Sequence, residues 1–75
     1  MPYTARIVAL ALTRAGFIQV RQRGSHRAFV RQLADGAIQR VSVPMHGGDL
    51  PPGTLHGILR AADLTEADLR RLTRG

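Results

Sequence analysis

Three predicted strands occupy residues 17–43, which read FIQVRQRGSHRAFVRQLADGAIQRVSV. Apolar side chains recur along this stretch at the alternating positions typical of strands that place one face on a core. The predicted strands are 17–22, 26–32 and 37–43. Arg23, Gly24 and Ser25 form the first turn, and the pair Asp35-Gly36, which tolerates positive φ, predicts the second. Because short turns join antiparallel neighbours, the stretch predicts a three-stranded antiparallel meander.

Helices are predicted on both sides of this meander. The first covers residues 4–15, with Thr4 as its N-cap and Gly16 where a left-handed residue ends a helix. Thr54 is the predicted N-cap of the second helix, whose apolar residues recur at i, i+3, i+4 and i+7. The spacing of Thr65 and Asp68 resembles a capping box and predicts a short last turn or helix.

The predicted order is therefore α-β-β-β-α. It describes an α+β fold in which a three-stranded antiparallel sheet carries its helices on one face. The same order occurs in the double-stranded RNA-binding domain, although a fold alone does not establish a function.

Length and composition limit the possible functions. The 75 residues predict one domain, 1–75, and such a small domain buries only about 60% of its unfolded surface. An enclosed site for a large organic cofactor is therefore not expected, and we predict none. The chain has no cysteine, which excludes disulfides and thiol catalysis and favours the cytoplasm. No apolar stretch approaches the roughly 20 residues of a transmembrane helix, so no membrane association is predicted.

The charge of the chain predicts a polyanionic partner. The net charge is +6, and all 11 basic residues are arginine, which binds phosphate bidentately and stacks on bases. Coding bias in a GC-rich genome is an alternative explanation for arginine over lysine. It does not explain the excess over acidic residues, so nucleic acid remains the favoured partner.

His26 is the strongest candidate for a catalytic residue. It begins the second predicted strand, where alternation directs it away from Phe29 and the core. The nearby arginines are Arg21, Arg23, Arg27 and Arg31. Histidine exchanges protons near neutral pH, and RNA carries a nucleophile in its 2′-hydroxyl, so a proton acceptor beside cations suffices for strand scission. On spacing alone, an exposed histidine without chemistry is the more common interpretation.

Other candidates are weaker. His46 follows the third strand and is a second possible proton carrier or phosphate contact, although a structural role is favoured. The helix start around Thr54 offers backbone N–H groups to an anion, but an ordinary helix start is the simpler interpretation. His56 is expected to be exposed or to make a weak phosphate contact. No motif has the spacing of metal ligands, so we predict no metal site.

Three segments resemble one family. Residues 16–31, GFIQVRQRGSHRAFVR, are similar to the hallmark of HicA toxins, in which GF, an apolar residue and arginine precede GSH and phenylalanine. VSVPMH at 41–46 and PPGTLHGILRAADLT at 51–65 resemble two later family motifs, in the expected order. Together these segments cover most of the chain.

The resemblance implies a concrete function. HicA-like proteins are cytoplasmic ribonucleases of type II toxin–antitoxin systems, with a fold like the double-stranded RNA-binding domain and one catalytic histidine in GSH, here His26. They cut mRNA, and a HicB-type antitoxin masks them. This family match reverses the preference stated above and predicts an endoribonuclease, or mRNA interferase, that needs no metal.

The predicted RNA-binding residues are Arg21, Arg23, Gly24, Ser25, Arg27 and Arg31, with His46 and Thr54 as possible secondary residues.

Two positions depart from the family pattern. The family often has a basic residue where this chain has His56, and glycine is common where Asp63 stands. The alternatives are a small RNA-binding module without chemistry and a protein-interaction domain.

Overall fold

The computed structural model describes residues 3–74. Its elements are α1 (Ala5–Arg14), β1 (Ile18–Arg23), β2 (His26–Gln32), β3 (Ile38–Pro44), α2 (Pro52–Ala62) and α3 (Glu66–Thr73). The strands form one antiparallel sheet in the order β1-β2-β3. The predicted α+β architecture is confirmed, and the predicted last turn or helix is a helix, α3. None of the helices within residues 3–74 is long and apolar enough to cross a membrane.

The core lies between one face of the sheet and the helices. The sheet contributes Phe29, Val41 and Val43, all of which are buried. The largest fully buried side chains from the helices are Val8, Leu12 and Leu69. On the opposite face, Ser42 is exposed and Ala28 is half-buried. β2 and β3 therefore have one face for packing and one open face, whereas every residue of β1 is exposed, including Ile18 and Val20, so the buried face predicted for the first strand was wrong.

Two of the predicted helix caps are confirmed. The Thr4 hydroxyl accepts a hydrogen bond from the backbone N–H of Ile7 at 3.2 Å, and α1 begins at the next residue after Thr4. Gly16 follows the helix with φ +101°, in the left-handed region that favours glycine. The chain can therefore turn directly from α1 into the sheet.

The predicted capping box of α3 is also confirmed. The Thr65 hydroxyl accepts from the Asp68 N–H at 3.0 Å, and the Asp68 carboxylate accepts from the Thr65 N–H at 2.9 Å. The Thr65 backbone N–H, followed by the Arg71 guanidinium, lowers the pKa of Asp68. Because the folded pKa is lowered, the cap stabilises α3 while Asp68 is ionised and weakens as the pH falls through that pKa.

The prediction for the start of α2 was wrong. The helix begins at Pro52, its N-cap is Pro51, and Thr54 lies within the first turn without a capping hydrogen bond. Proline is favoured in the first turn because its φ is already helical and its missing N–H would have no partner there. The two prolines thus begin the helix earlier than a threonine cap would.

The end of α2 explains one departure from the family pattern. Asp63 is the C-cap and has φ +57°, and no other non-glycine residue of the described chain has positive φ. Aspartate tolerates this left-handed conformation better than most residues, but glycine adopts it without steric strain. Asp63 therefore occupies a left-handed C-cap position at which glycine is the more common residue.

Arg31 connects the sheet to the ends of two helices. Its Nη1 donates to the carbonyl of Ala15 at 2.8 Å, and its Nη2 donates to the carbonyl of Ala62 at 3.1 Å. Its Nε donates to Oε1 of Gln39 at 2.9 Å, and the guanidinium stacks 4.5 Å from the ring centre of Phe17. One side chain thus satisfies carbonyls at the C-terminal ends of α1 and α2, where helix dipoles favour a cation.

We expect Arg31→Met to lower the free energy of unfolding by about 2 kcal/mol, because it removes charged donors from partly buried carbonyls. Arg31→Lys should recover only part of this loss, since an ammonium cannot reproduce the planar fork. Urea denaturation monitored by circular dichroism measures both changes.

Arg40→Met is the matched control, because Arg40 is an exposed arginine of the neighbouring strand. It should change stability by less than about 0.5 kcal/mol. Equal stabilities of the Arg31→Met and Arg40→Met proteins would contradict the structural role of Arg31.

Candidate functional site

A β-bulge places two arginines on the open face of the sheet. Gln19 pairs with Phe29 and Arg21 with Ala28, so Val20 is an extra residue in β1. Strict alternation from the start of β1 would direct Arg21 and Arg23 toward the helices. Because the bulge shifts the alternation by one residue, both arginines share the open face with Ala28.

His26 lies on the same open face. It is exposed, it pairs with Arg23 across β1 and β2, and it lies on the face opposite Phe29 as alternation predicts. A shallow cleft of about 210 Å³, which we call the sheet cleft, is lined by Arg21, Arg23, His26, Ala28 and Ser42. The side chains of Ala28 and Ser42 are small, so they leave open space above the sheet beside Arg21 and Arg23.

The turn before His26 also positions His46. Gly24 has φ +58°, and the carbonyl of Ser25 accepts a hydrogen bond from the backbone N–H of Met45. This hydrogen bond holds the segment after β3 beside the turn. The rings of His26 and His46 consequently lie 6.1 Å apart, centre to centre, in an edge-on arrangement with an interplanar angle of 83°.

Two of the predicted RNA-binding arginines lie on the other face. Arg31 uses its guanidinium in the helix-end contacts described above, which makes it a structural residue in this fold. Arg27 pairs with Val43, so its side chain leaves β2 toward the helices. It lines a second cleft of about 430 Å³, together with His46 and Arg6. We call this second cleft the α1 cleft.

The remaining candidates lie elsewhere. Thr54 is half-buried in the first turn of α2, and it lines neither cleft. His56 is exposed, and its Nε2 lies 3.3 Å from Oε1 of Glu66, which joins α2 to α3. Both residues therefore have local roles in and around α2.

The site combines proton carriers with fixed positive charge. Two imidazoles lie close together, and arginines line the clefts on either side of them. None of the described residues that line these clefts is acidic. Such an arrangement can bind a phosphodiester and exchange protons with the oxygens around its phosphorus.

Sequence reasoning missed Arg6 and Ser42. Arg6 lies on α1, far in sequence from the GSH motif, and only the packing of α1 beside the end of β3 brings it near His46. Ser42 pairs with Ala28 across β2 and β3, and its contribution is its small size. Alternation along β3 could have placed Ser42 on the open face, whereas no local signal distinguishes Arg6.

The fold and site define a class of small α+β proteins that resemble the double-stranded RNA-binding domain. The family model described as "HicA toxin of bacterial toxin-antitoxin" matches residues 5–64. The chain belongs to this family, as its motifs predicted, and is a toxin of the toxin–antitoxin type. The match includes all three histidines and ends before α3. No curated protein matches the chain significantly.

The contact between His26 and His46 can be tested directly by NMR. We expect His46→Ala to shift the ring-proton resonances of His26, because an edge-on imidazole 6.1 Å away contributes a ring current. Carbon–proton correlation spectra at one fixed pH, above the range in which histidines titrate, measure the shift.

The control is His56→Ala, because His56 is an exposed histidine on α2. It should leave the His26 resonances in place. Equal effects of the two substitutions, or no effect of His46→Ala, would show that the rings are not in contact in solution.

Proposed function

We propose that this toxin is an endoribonuclease that cuts mRNA in the cytoplasm, with His26 as a catalytic acid or base. The observation that carries the proposal is the short distance between the rings of His26 and His46, whose centres lie 6.1 Å apart beside the arginine-lined sheet cleft. Ribonucleolytic strand scission needs one group that accepts a proton and one that donates a proton. Two neighbouring imidazoles supply both groups, and the absence of cysteine agrees with a reducing compartment.

The proposed reaction is a transesterification within the RNA. One imidazole accepts the proton of the 2′-hydroxyl while the 2′-oxygen forms a bond to phosphorus. The bond from phosphorus to the 5′-oxygen breaks, and the other imidazole, in its protonated form, donates a proton to that leaving oxygen. His26 takes one of these roles and His46 the other. The products are a 2′,3′-cyclic phosphate and a 5′-hydroxyl end.

The arginines of the sheet cleft hold the phosphate during this reaction. Arg21 and Arg23 line the same cleft as His26 and present guanidinium groups. Guanidinium forks bind phosphate oxygens bidentately and stabilise the charge that develops on them in the transition state. Gly24 and Ser25 contribute through the turn, which fixes where His26 lies relative to His46.

We expect the wild-type protein to cut a labelled mRNA in the presence of EDTA, since the proposed acid and base are both side chains. His26→Ala should reduce the rate by about 10²–10⁴-fold, and His46→Ala by about 10²-fold. The assay is single-turnover cleavage by protein whose fold is checked by circular dichroism. Polynucleotide kinase should label the new 5′ ends without prior phosphatase treatment.

His56→Ala is the control, and it should cut at the wild-type rate. Loss of cleavage in EDTA would contradict the two-histidine scheme. Equal cleavage by wild type and His26→Ala would exclude His26 as the catalytic residue. Binding of RNA without cleavage by any of these proteins would favour the alternative, an RNA-binding module.

We further propose that a HicB-like antitoxin neutralises the toxin by covering the sheet cleft. Toxins of this family act in toxin–antitoxin pairs, and Arg21 and Arg23 give the cleft an exposed positive surface. An acidic segment of the partner can bind this surface in place of RNA, because both ligands are anionic. Toxin inhibition then follows from direct competition.

A HicB-like protein from the same operon should suppress cleavage at a one-to-one ratio. The double substitution Arg21→Glu and Arg23→Glu should weaken the complex on the order of tenfold or more, as calorimetry measures. The control replaces Arg60 of α2 and Arg70 of α3 with Glu. It changes the net charge by the same amount and should have little effect on the affinity. If both double substitutions weakened the complex equally, the antitoxin would not bind specifically at the sheet cleft.

A further inference from the structure

The α1 cleft is larger than the sheet cleft, and apart from His46 its residues have no role in the function proposed above. It has a volume of about 430 Å³ and lies between the start of α1 and the segment after β3. Its lining includes Arg6, Arg27, Met45, His46, Gly47 and Gly48. Two guanidinium groups and one imidazole therefore belong to one concave surface.

The charge of this cleft is not compensated by its lining. None of the described residues that line the cleft is acidic. Asp49, the next residue along the loop, pairs through its backbone with Thr4 and does not line the cleft. Concave positive surfaces attract anions more strongly than flat ones do, because their low-dielectric walls focus the field.

Arg27 carries a buried donor that has no partner among the described residues. Its Nε makes no hydrogen bond within residues 3–74, although it is shielded from solvent. A buried donor without an acceptor is unfavourable, and such groups are uncommon in folded proteins. Arg27 lines the cleft, so a small shift of its side chain would bring Nε to an anion bound there, since guanidinium groups bind phosphate oxygens through adjacent N–H groups.

His46 connects the two clefts. It lines the α1 cleft, and its ring lies 6.1 Å from that of His26, which lines the sheet cleft. An RNA strand whose reacting phosphate lies against both rings can therefore continue from one cleft into the other. Successive nucleotides each carry a phosphate, so the strand presents an anion to both clefts.

We propose that the α1 cleft binds an RNA backbone phosphate that flanks the phosphate at which the strand is cut. The placement beside the cut rests on the proposed function, whereas the affinity of the cleft for phosphate does not. Arg6 and Arg27 bind the phosphate oxygens, and the strand crosses the edge of the sheet beside His46.

The first experiment measures how salt weakens RNA binding. A labelled single-stranded oligoribonucleotide is titrated with His26→Ala protein, so that no cleavage occurs, at several salt concentrations. Each phosphate contact to a single strand contributes about 0.7 to the slope of log K against log salt. Arg6→Gln should reduce the slope by about this amount. Arg70→Gln, which removes an exposed arginine from α3, should leave it unchanged.

The second experiment uses inorganic phosphate and wild-type protein. The Nε–H resonance of Arg27 should shift saturably on addition of phosphate, while that of the exposed Arg40 should not. A saturable shift together with a reduced Arg6→Gln slope supports the proposal. An unchanged slope, or equal slopes for Arg6→Gln and Arg70→Gln, overturns the RNA contact even if free phosphate binds. The absence of a saturable shift overturns phosphate binding by Arg27.

Cleavage by the wild-type protein separates this proposal from the proposed function. If RNA is cut in EDTA but both experiments fail, the ribonuclease proposal stands and the α1 cleft is not a phosphate site. If both experiments succeed and RNA is not cut, the cleft binds RNA in a protein that lacks the proposed chemistry, and its placement beside a cut is overturned.

Discussion

The contacts of the Arg31 guanidinium hold the helices in place against the sheet. Arg31 lies on β2, the central strand, and donates to carbonyls at the ends of α1 and α2 while it stacks on Phe17. A domain of this size has little apolar surface to bury. A single residue that satisfies two helix ends and a ring therefore has a large effect on how the helices lie against the sheet.

The same contact determines which face of β2 carries His26. Arg31, Phe29 and Arg27 alternate toward the helices, so His26 and Ala28 must face away from them. A slip of one residue in the pairing would exchange these two sets and place a histidine in the core. The structural demands on one face thus keep the histidine exposed on the other.

The candidate site is shallow and lies at one end of the sheet, and this location suits a polymer. The backbone hydrogen bond from Met45 to Ser25 brings two distant segments together, and the two histidines meet as a result. Both clefts are open to solvent and lined by arginine, so an extended anion can follow them. An antitoxin that covers either cleft would close it to such an anion.

The sequence by itself determined the order of elements, the caps at Thr4 and Thr65, the exposed face of His26 and the family. These features follow from local patterns: alternation, helical spacing, turn residues and short motifs. It did not determine the bulge at Val20, because the extra residue is defined only by the strand paired with β1. Alternation along the second strand places Arg27 and Arg31 on the face of Phe29, but the sequence did not show on which face Arg21 and Arg23 lie. The bulge, which depends on the pairing of β1 with β2, places Arg21 and Arg23 on the face of His26, and packing between distant segments brings Arg6 and His46 near it.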